Sequence, residues 1–134
     1  MKRIDSIFIV DDDPITVFGI RKMLDFVVEC RDISSYKNGK LALDQIHQRL
    51  EANEQVPDVI FLDINMPIMD GWQFLEEFIR LPIHKKIRIN IITSSIDDLD
   101  QKNWMRYKSM TEHPISFNNK PLKKHEIAEI TKAA

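Results

Sequence analysis

Five short apolar runs alternate with longer stretches whose apolar residues recur at helical spacing, and this alternation limits the fold more than any other property of the chain. The runs are "SIFIV" (6–10), "VECRDI" (28–33), "DVIFL" (58–62), "IRINIIT" (87–93) and "ISFNN" (115–119). Three of them, at 6–10, 58–62 and 89–92, are close to continuously apolar, the pattern of strands buried on both faces of a parallel sheet. Between the runs, residues 14–26 place Val17, Ile20, Met23 or Leu24, and Val27 on one helical face. Residues 38–52 do the same with Leu41, Leu43, Ile46 and Leu50, and residues 71–80 offer Phe74, Leu75 and Phe78. The pattern is weaker in 97–108 and returns in 122–131 with Leu122, Ile127 and Ile130. Pro14 suits the first helical turn behind Asp13 as a cap, and Asp97 and Asp98 suit the positive end of the fourth helix. The chain therefore reads as (βα)5, a doubly wound α/β domain. Its 134 residues give length for one domain, 1–134, with no output domain expected after the last helix.

In open α/β sheets, ligands bind at the carboxyl ends of the strands. Here the first strand ends in Asp11-Asp12-Asp13, the third in Asp63 within "FLDINMPIMDG", the fourth in Thr93 within "IITSS" and the fifth in Lys120 within "NNKPL". All four sets fall on one rim. Two like charges ~5 Å apart cost about 3 kcal/mol at an effective dielectric near 20, so crowded carboxylates call for a positive partner. Lys120 is one, and a divalent cation is the other. Clustered carboxylates with a backbone carbonyl and water suit a hard ion such as Mg²⁺. Ser94 is small and leaves the approach to Asp63 open, while Pro67 and Asp70-Gly71 supply turn chemistry after the third strand.

The set "VDDDP", "FLDINMPIMDG", "TSS" and "KP", in this order across nearly the whole chain, resembles the receiver domain of two-component response regulators. The resemblance implies a flavodoxin-like parallel sheet in the order 2-1-3-4-5. It implies that Asp63 is the phosphoacceptor and that Asp11 and Asp12 form the acidic pair for Mg²⁺, Asp12 the more direct ligand and Asp11 acting through water. It makes the backbone carbonyl of Asn65 the third protein ligand to the metal. Thr93 would hydrogen-bond the phosphoryl group, Lys120 would pair with it, and Phe117 falls at the family's switch-aromatic position. The Lys120–Pro121 peptide is expected to be cis. The implied function is a stand-alone switch or relay, phosphorylated by a histidine kinase or phosphotransfer protein, with a possible downstream target protein. It is a signalling phosphoacceptor rather than a turnover enzyme. Phosphoryl transfer makes independent sense of these roles, because it needs an in-line nucleophile and neutralised oxygens more than covalent help. Asn65 and Ser95, two residues after Asp63 and Thr93, are expected to flank the path of a hydrolytic water.

Other features set bounds. A net charge of −2 and a pI of about 6.1 give no electrostatic reason to bind nucleic acid or an anionic membrane. The single cysteine, Cys30, cannot form an internal disulfide, and no apolar run approaches a membrane span. A soluble, cytoplasmic setting is expected. His47, His84, His113 and His125 lack ligand spacing for zinc, and three glycines form no phosphate-cradling loop. "HKKIR" (84–88) and "KKHE" (123–126) read as solvated charge, and Trp72 as partly packed. Phe117 has two readings, core packing and switching. So has Phe18: with Ile15 it would meet a kinase, or it would enter the core. The segment from Thr93 to Lys120 is several residues longer than the family usually shows and lacks the small Gly-Ala pair before the fifth strand. A haloacid-dehalogenase-like phosphatase, which also uses a strand-end Asp and Mg²⁺, is the competing class. The chain is short for such an enzyme with a cap, and the second acidic pair is missing.

Overall fold

The computed structural model describes residues 1–94 and 96–134; Ser95, and with it the expectation that it flanks a water path, lies outside the described residues. Five parallel strands carry the chain: β1 (Lys2–Val10), β2 (Val28–Tyr36), β3 (Val59–Asp63), β4 (Arg88–Thr93) and β5 (Ile115–Asn119). They alternate with α1 (Pro14–Val27), α2 (Gly39–Glu51), α3 (Gly71–Phe78), α4 (Asp98–Met110) and α5 (Lys124–Lys132). The sheet order is β2-β1-β3-β4-β5, so the expected flavodoxin-like topology is the observed one. Each β-to-β connection crosses a face of the sheet through a helix, as parallel pairing requires.

The sheet separates two apolar layers, as a doubly wound fold requires. Phe8, Val10, Ile60, Leu62 and Ile89 belong to one, with Leu43, Ile46, Phe74 and Phe78 from α2 and α3. Ile7, Ile9, Val59 and Phe61 belong to the other, with Ile20 and Leu24 from α1 and Ile127 from α5. Period-2 alternation on β1 and β3 therefore feeds both layers, which is why these runs are continuously apolar. Asn90 is a polar residue within β4 that is fully buried: it donates to the Ile60 carbonyl at 3.3 Å and accepts from Ser116 Oγ at 2.8 Å. Among the described residues, no helix is long and apolar enough to cross a membrane.

The structure revises several local expectations. β1 begins at Lys2 rather than residue 6 and β2 runs on to Tyr36, because the two strands pair along their whole length from Lys2↔Val28 to Val10↔Tyr36. Leu41 is exposed, and Gly39 and Ala42 take the buried face of α2 instead. α5 starts at Lys124, with Leu122 buried ahead of it. Phe18 stays out of the core at 63% exposure. Lys85 in "HKKIR" is not simply solvated: its ammonium pairs with Asp58 at 2.8 Å and donates to the Val56 carbonyl at 2.8 Å, holding the lead-in to β3. His113 accepts the Ile87 N–H through Nδ1 at 2.9 Å and packs its ring on Phe78.

Candidate functional site

Asp11 is the first residue past β1, and it is buried. Its N–H donates to the Tyr36 carbonyl at 3.0 Å, and its Oδ1 accepts the Asp13 N–H at 2.8 Å. Asp13 turns away to cap α1, taking the Ile15 N–H at 3.0 Å and the Thr16 hydroxyl at 3.0 Å. These bonds, the one from the Ile15 N–H first, hold its carboxyl below the usual range. The triplet thus divides: one aspartate serves the helix, and two remain at the rim.

Asp63 is the last residue of β3 and is 4% exposed. It can sit this deep because α3 begins at Gly71. A Cβ at Gly71 would lie 2.5 Å from the Asp63 carbonyl oxygen and 2.9 Å from Ile64 Cα, so only glycine permits the approach. The Gly71 N–H closes the loop on the Ile64 carbonyl at 3.0 Å. The carboxylate oxygens of Asp11, Asp12 and Asp63 lie within 4.8 Å of one another, with Asp12 exposed.

Lys120 reaches this cluster from the end of β5. Its Nζ is 2.9 Å from Asp11 Oδ2 and 3.5 Å from Asp63 Oδ2, and its N–H donates to the Thr93 carbonyl at 2.7 Å. The Lys120–Pro121 peptide is cis, as expected. Burial, then the Asp11 charge, raise Asp63 to about 6 against the pull of Lys120. Burial works against the Lys120 charge, but the hydrogen bond and charge of Asp11 outweigh it and raise the ammonium's pKa. Two carboxylates and one ammonium leave a local excess of negative charge, and Asp12 adds to it. Exposed Asp12 beside two buried oxygens is a hard, oxygen-only donor set open to water on one side, which fits Mg²⁺. Asn65 lies on the exposed side, its N–H 3.4 Å from Asp63 Oδ1.

Thr93 ends β4 fully buried, in register with Asn119 of β5. Phe117 stands further back on β5 and packs edge-on between Trp72 and Trp104, at 6.2 and 5.8 Å. Of the residues singled out from sequence, Asp11, Asp12, Asp63 and Lys120 come together directly. Two supports escaped the sequence reading. The Tyr36 carbonyl carried no signal, whereas Gly71 was visible as turn chemistry but not as the close-approach point for Asp63.

Comparison with known proteins agrees with this geometry. Residues 7–132 match the family described as the response regulator receiver domain. The chain belongs to this family, and not to the haloacid-dehalogenase-like phosphatases. A two-component response regulator from Cytophaga hutchinsonii is similar in structure with a TM-score of 0.82 at 25% identity, covering 98% of this chain and 97% of that one. The phosphorylated cyanobacterial phytochrome response regulator RcpA is similar with a TM-score of 0.75 at 25% identity, over 96% of this chain and 89% of that one. In sequence, hybrid signal transduction histidine kinase L of Dictyostelium discoideum is 33% identical over 98% of this chain but only 7% of its own length. A protein-glutamate methylesterase/protein-glutamine glutaminase of Methanospirillum hungatei is 32% identical over 71% of this chain and 24% of its own. The chain thus spans a small part of these curated relatives.

Proposed function

We propose that Asp63 accepts a phosphoryl group from a phosphohistidine of a histidine kinase or phosphotransfer protein, and that the phosphorylated domain acts as a signalling switch or relay intermediate. The observation that carries this reading is the Asp63 carboxylate, buried at a strand end, 3.5 Å from an ammonium and within 4.8 Å of two further carboxylates. In the step, an Asp63 oxygen attacks phosphorus, the O–P bond forms as the donor's N–P bond breaks, and the imidazole leaves with the electron pair and gains a proton. With its pKa at about 6, Asp63 is mostly ionised at neutral pH and so available as the nucleophile.

The residues that would hold Mg²⁺ are Asp12 directly, Asp11 through water, Asp63, and the Asn65 backbone carbonyl. When bound, the ion supplies positive charge between carboxylate and phosphoryl oxygens. Lys120, now 2.9 Å from Asp11 and 3.5 Å from Asp63, would shift its pairing from Asp63 to an incoming phosphoryl oxygen while keeping Asp11. Thr93 would hydrogen-bond the phosphoryl group, and Phe117 would respond to its movement. Ile15 and Phe18, 80% and 63% exposed just past the acidic triplet, offer apolar contact to the protein donor. The protein would promote its own phosphorylation and dephosphorylation without turning over a separate substrate. Protein partners in the cytoplasm, rather than nucleic acid or a membrane, suit its net charge of −2.

Intact-mass measurement after incubation with acetyl phosphate and Mg²⁺ tests this. Wild type should gain one phosphate, and both Asp63→Asn and chelation of the metal should abolish the gain. A gain that survives in Asp63→Asn would place the acceptor elsewhere.

A further inference from the structure

Beside the acidic cluster, and lined by none of its residues, a groove of about 410 Å³ runs between α3 and α4. Its apolar wall is Ile68, Met69, Trp72 and Tyr107, with Trp72 and Tyr107 stacked 6.0 Å apart. Asp70, Glu76 and Glu77 also line it, and no lysine or arginine does. Asp100 of α4 borders it by accepting the Trp72 Nε1–H at 3.2 Å. Arg80 pairs with Glu76 Oε1 at 2.7 Å from outside the groove, and Arg106 lies against the Tyr107 ring. The Tyr107 hydroxyl also faces the Glu76 carboxylate and hydrogen-bonds to it.

Ile68 gives the second observation. It is 81% exposed and has φ of 70°. A β-branched residue is strained in that left-handed region and glycine is not. An apolar, strained, solvent-facing side chain at a groove edge contributes nothing to the fold that glycine would not improve.

We infer that the α3–α4 groove is a docking surface for a partner protein's peptide segment that carries arginine beside a large apolar residue. The apolar residue seats against Ile68, Trp72 and Tyr107. The guanidinium meets the carboxylates of Glu77 and Asp70 and lies within reach of the Glu76 edge. The charge of the wall excludes acidic segments and nucleic acid, and its apolar floor gives a merely cationic segment too little contact.

Fluorescence anisotropy with a labelled hexapeptide of alternating leucine and arginine tests this, against a counterpart with glutamate for arginine. The basic peptide should bind the wild type, and affinity should fall several-fold on raising salt from 50 to 300 mM. Glu77→Lys, at an exposed position, and Ile68→Gly should each weaken binding at least five-fold. Ile68→Gly should also raise the unfolding midpoint, so its lost binding cannot be put down to misfolding. Acetyl phosphate labelling of both variants should match wild type, which separates this surface from the Asp63 site. Failure of the basic peptide to bind, equal binding of the glutamate peptide, or indifference to both substitutions would overturn the proposal. So would sedimentation showing that the groove is closed by a second copy of the chain.

Discussion

Burial and the Asp11 carboxylate raise Asp63 to about 6, whereas its ordinary value is 3.8. The folded state therefore holds the Asp63 proton more tightly than the unfolded chain does. The resulting stability is fully present below the ordinary value and is lost as pH rises from about 4 through about 6. Asp63→Asn has no such loss. At pH 7.5, without metal, it should be more stable than wild type by about 2 kcal/mol, and the two should converge near pH 4. Urea melts across this range check it, and a constant difference would mean that Asp63 does not titrate as its surroundings imply. Gly71 acts at the same scale from the backbone side. Gly71→Ala puts a methyl 2.5 Å from the Asp63 carbonyl oxygen, where only backbone movement can relieve it. It should cost about 2 kcal/mol or more and slow acetyl phosphate labelling, because the moved backbone is that of the acceptor.

Among the elements, α4 is the least anchored. Tyr107 is its one buried residue, and aromatic contacts replace an aliphatic stripe. Trp104 fixes it to β5 by donating Nε1–H to the Ile115 carbonyl at 2.9 Å while covering Phe117. Trp104→Phe keeps an aromatic ring, though a smaller one, and removes the bond. It should destabilise the protein by about 1 kcal/mol and speed amide exchange in α4 while leaving β3 unchanged. The start of β4 depends instead on His113, whose burial pushes the imidazole below its ordinary 6.5. A neutral Nδ1 must accept the Ile87 N–H. This contribution is present above the ordinary value and is lost as pH falls below 6.5 toward the lowered one, opposite in sign to that of Asp63. His113→Ala should flatten that acid-side slope and cost about 1–2 kcal/mol at neutral pH. An unchanged slope in paired melts would assign it to other groups.

For the molecule as a whole, Asp11, Asp12, Asp63 and Lys120 meet only when β1, β3 and β5 occupy one sheet, so a metal held there reports on the complete fold. Mg²⁺ at ten to a hundred times its dissociation constant should raise stability by about 1.4–2.7 kcal/mol. Asp12→Ala should abolish most of that gain while unfolding normally without metal, since Asp12 is exposed. A full Mg²⁺ effect in Asp12→Ala would remove it from the ligand set.

The alternation of buried runs and amphipathic stretches sufficed for five parallel strands and their helices, because strands buried on both faces have few other ways to read. It also placed Asp63, Thr93 and Lys120 at strand ends, since that position follows from the run that precedes each. The pairing of strands settled what local pattern could not. β1 and β2 extend each other well past their apolar cores, and Leu41 stays outside because Gly39 and Ala42 allow α2 a closer approach. In the acidic triplet, three equivalent letters became a cap, an exposed carboxylate and a buried one, according to which backbone groups lay within reach. Lys120 chose Asp11 at 2.9 Å over Asp63 at 3.5 Å for the same reason. Sequence sets which residues arrive at the rim, whereas distances between non-neighbouring strands set their charges and partners, and those distances exist only once the sheet has closed.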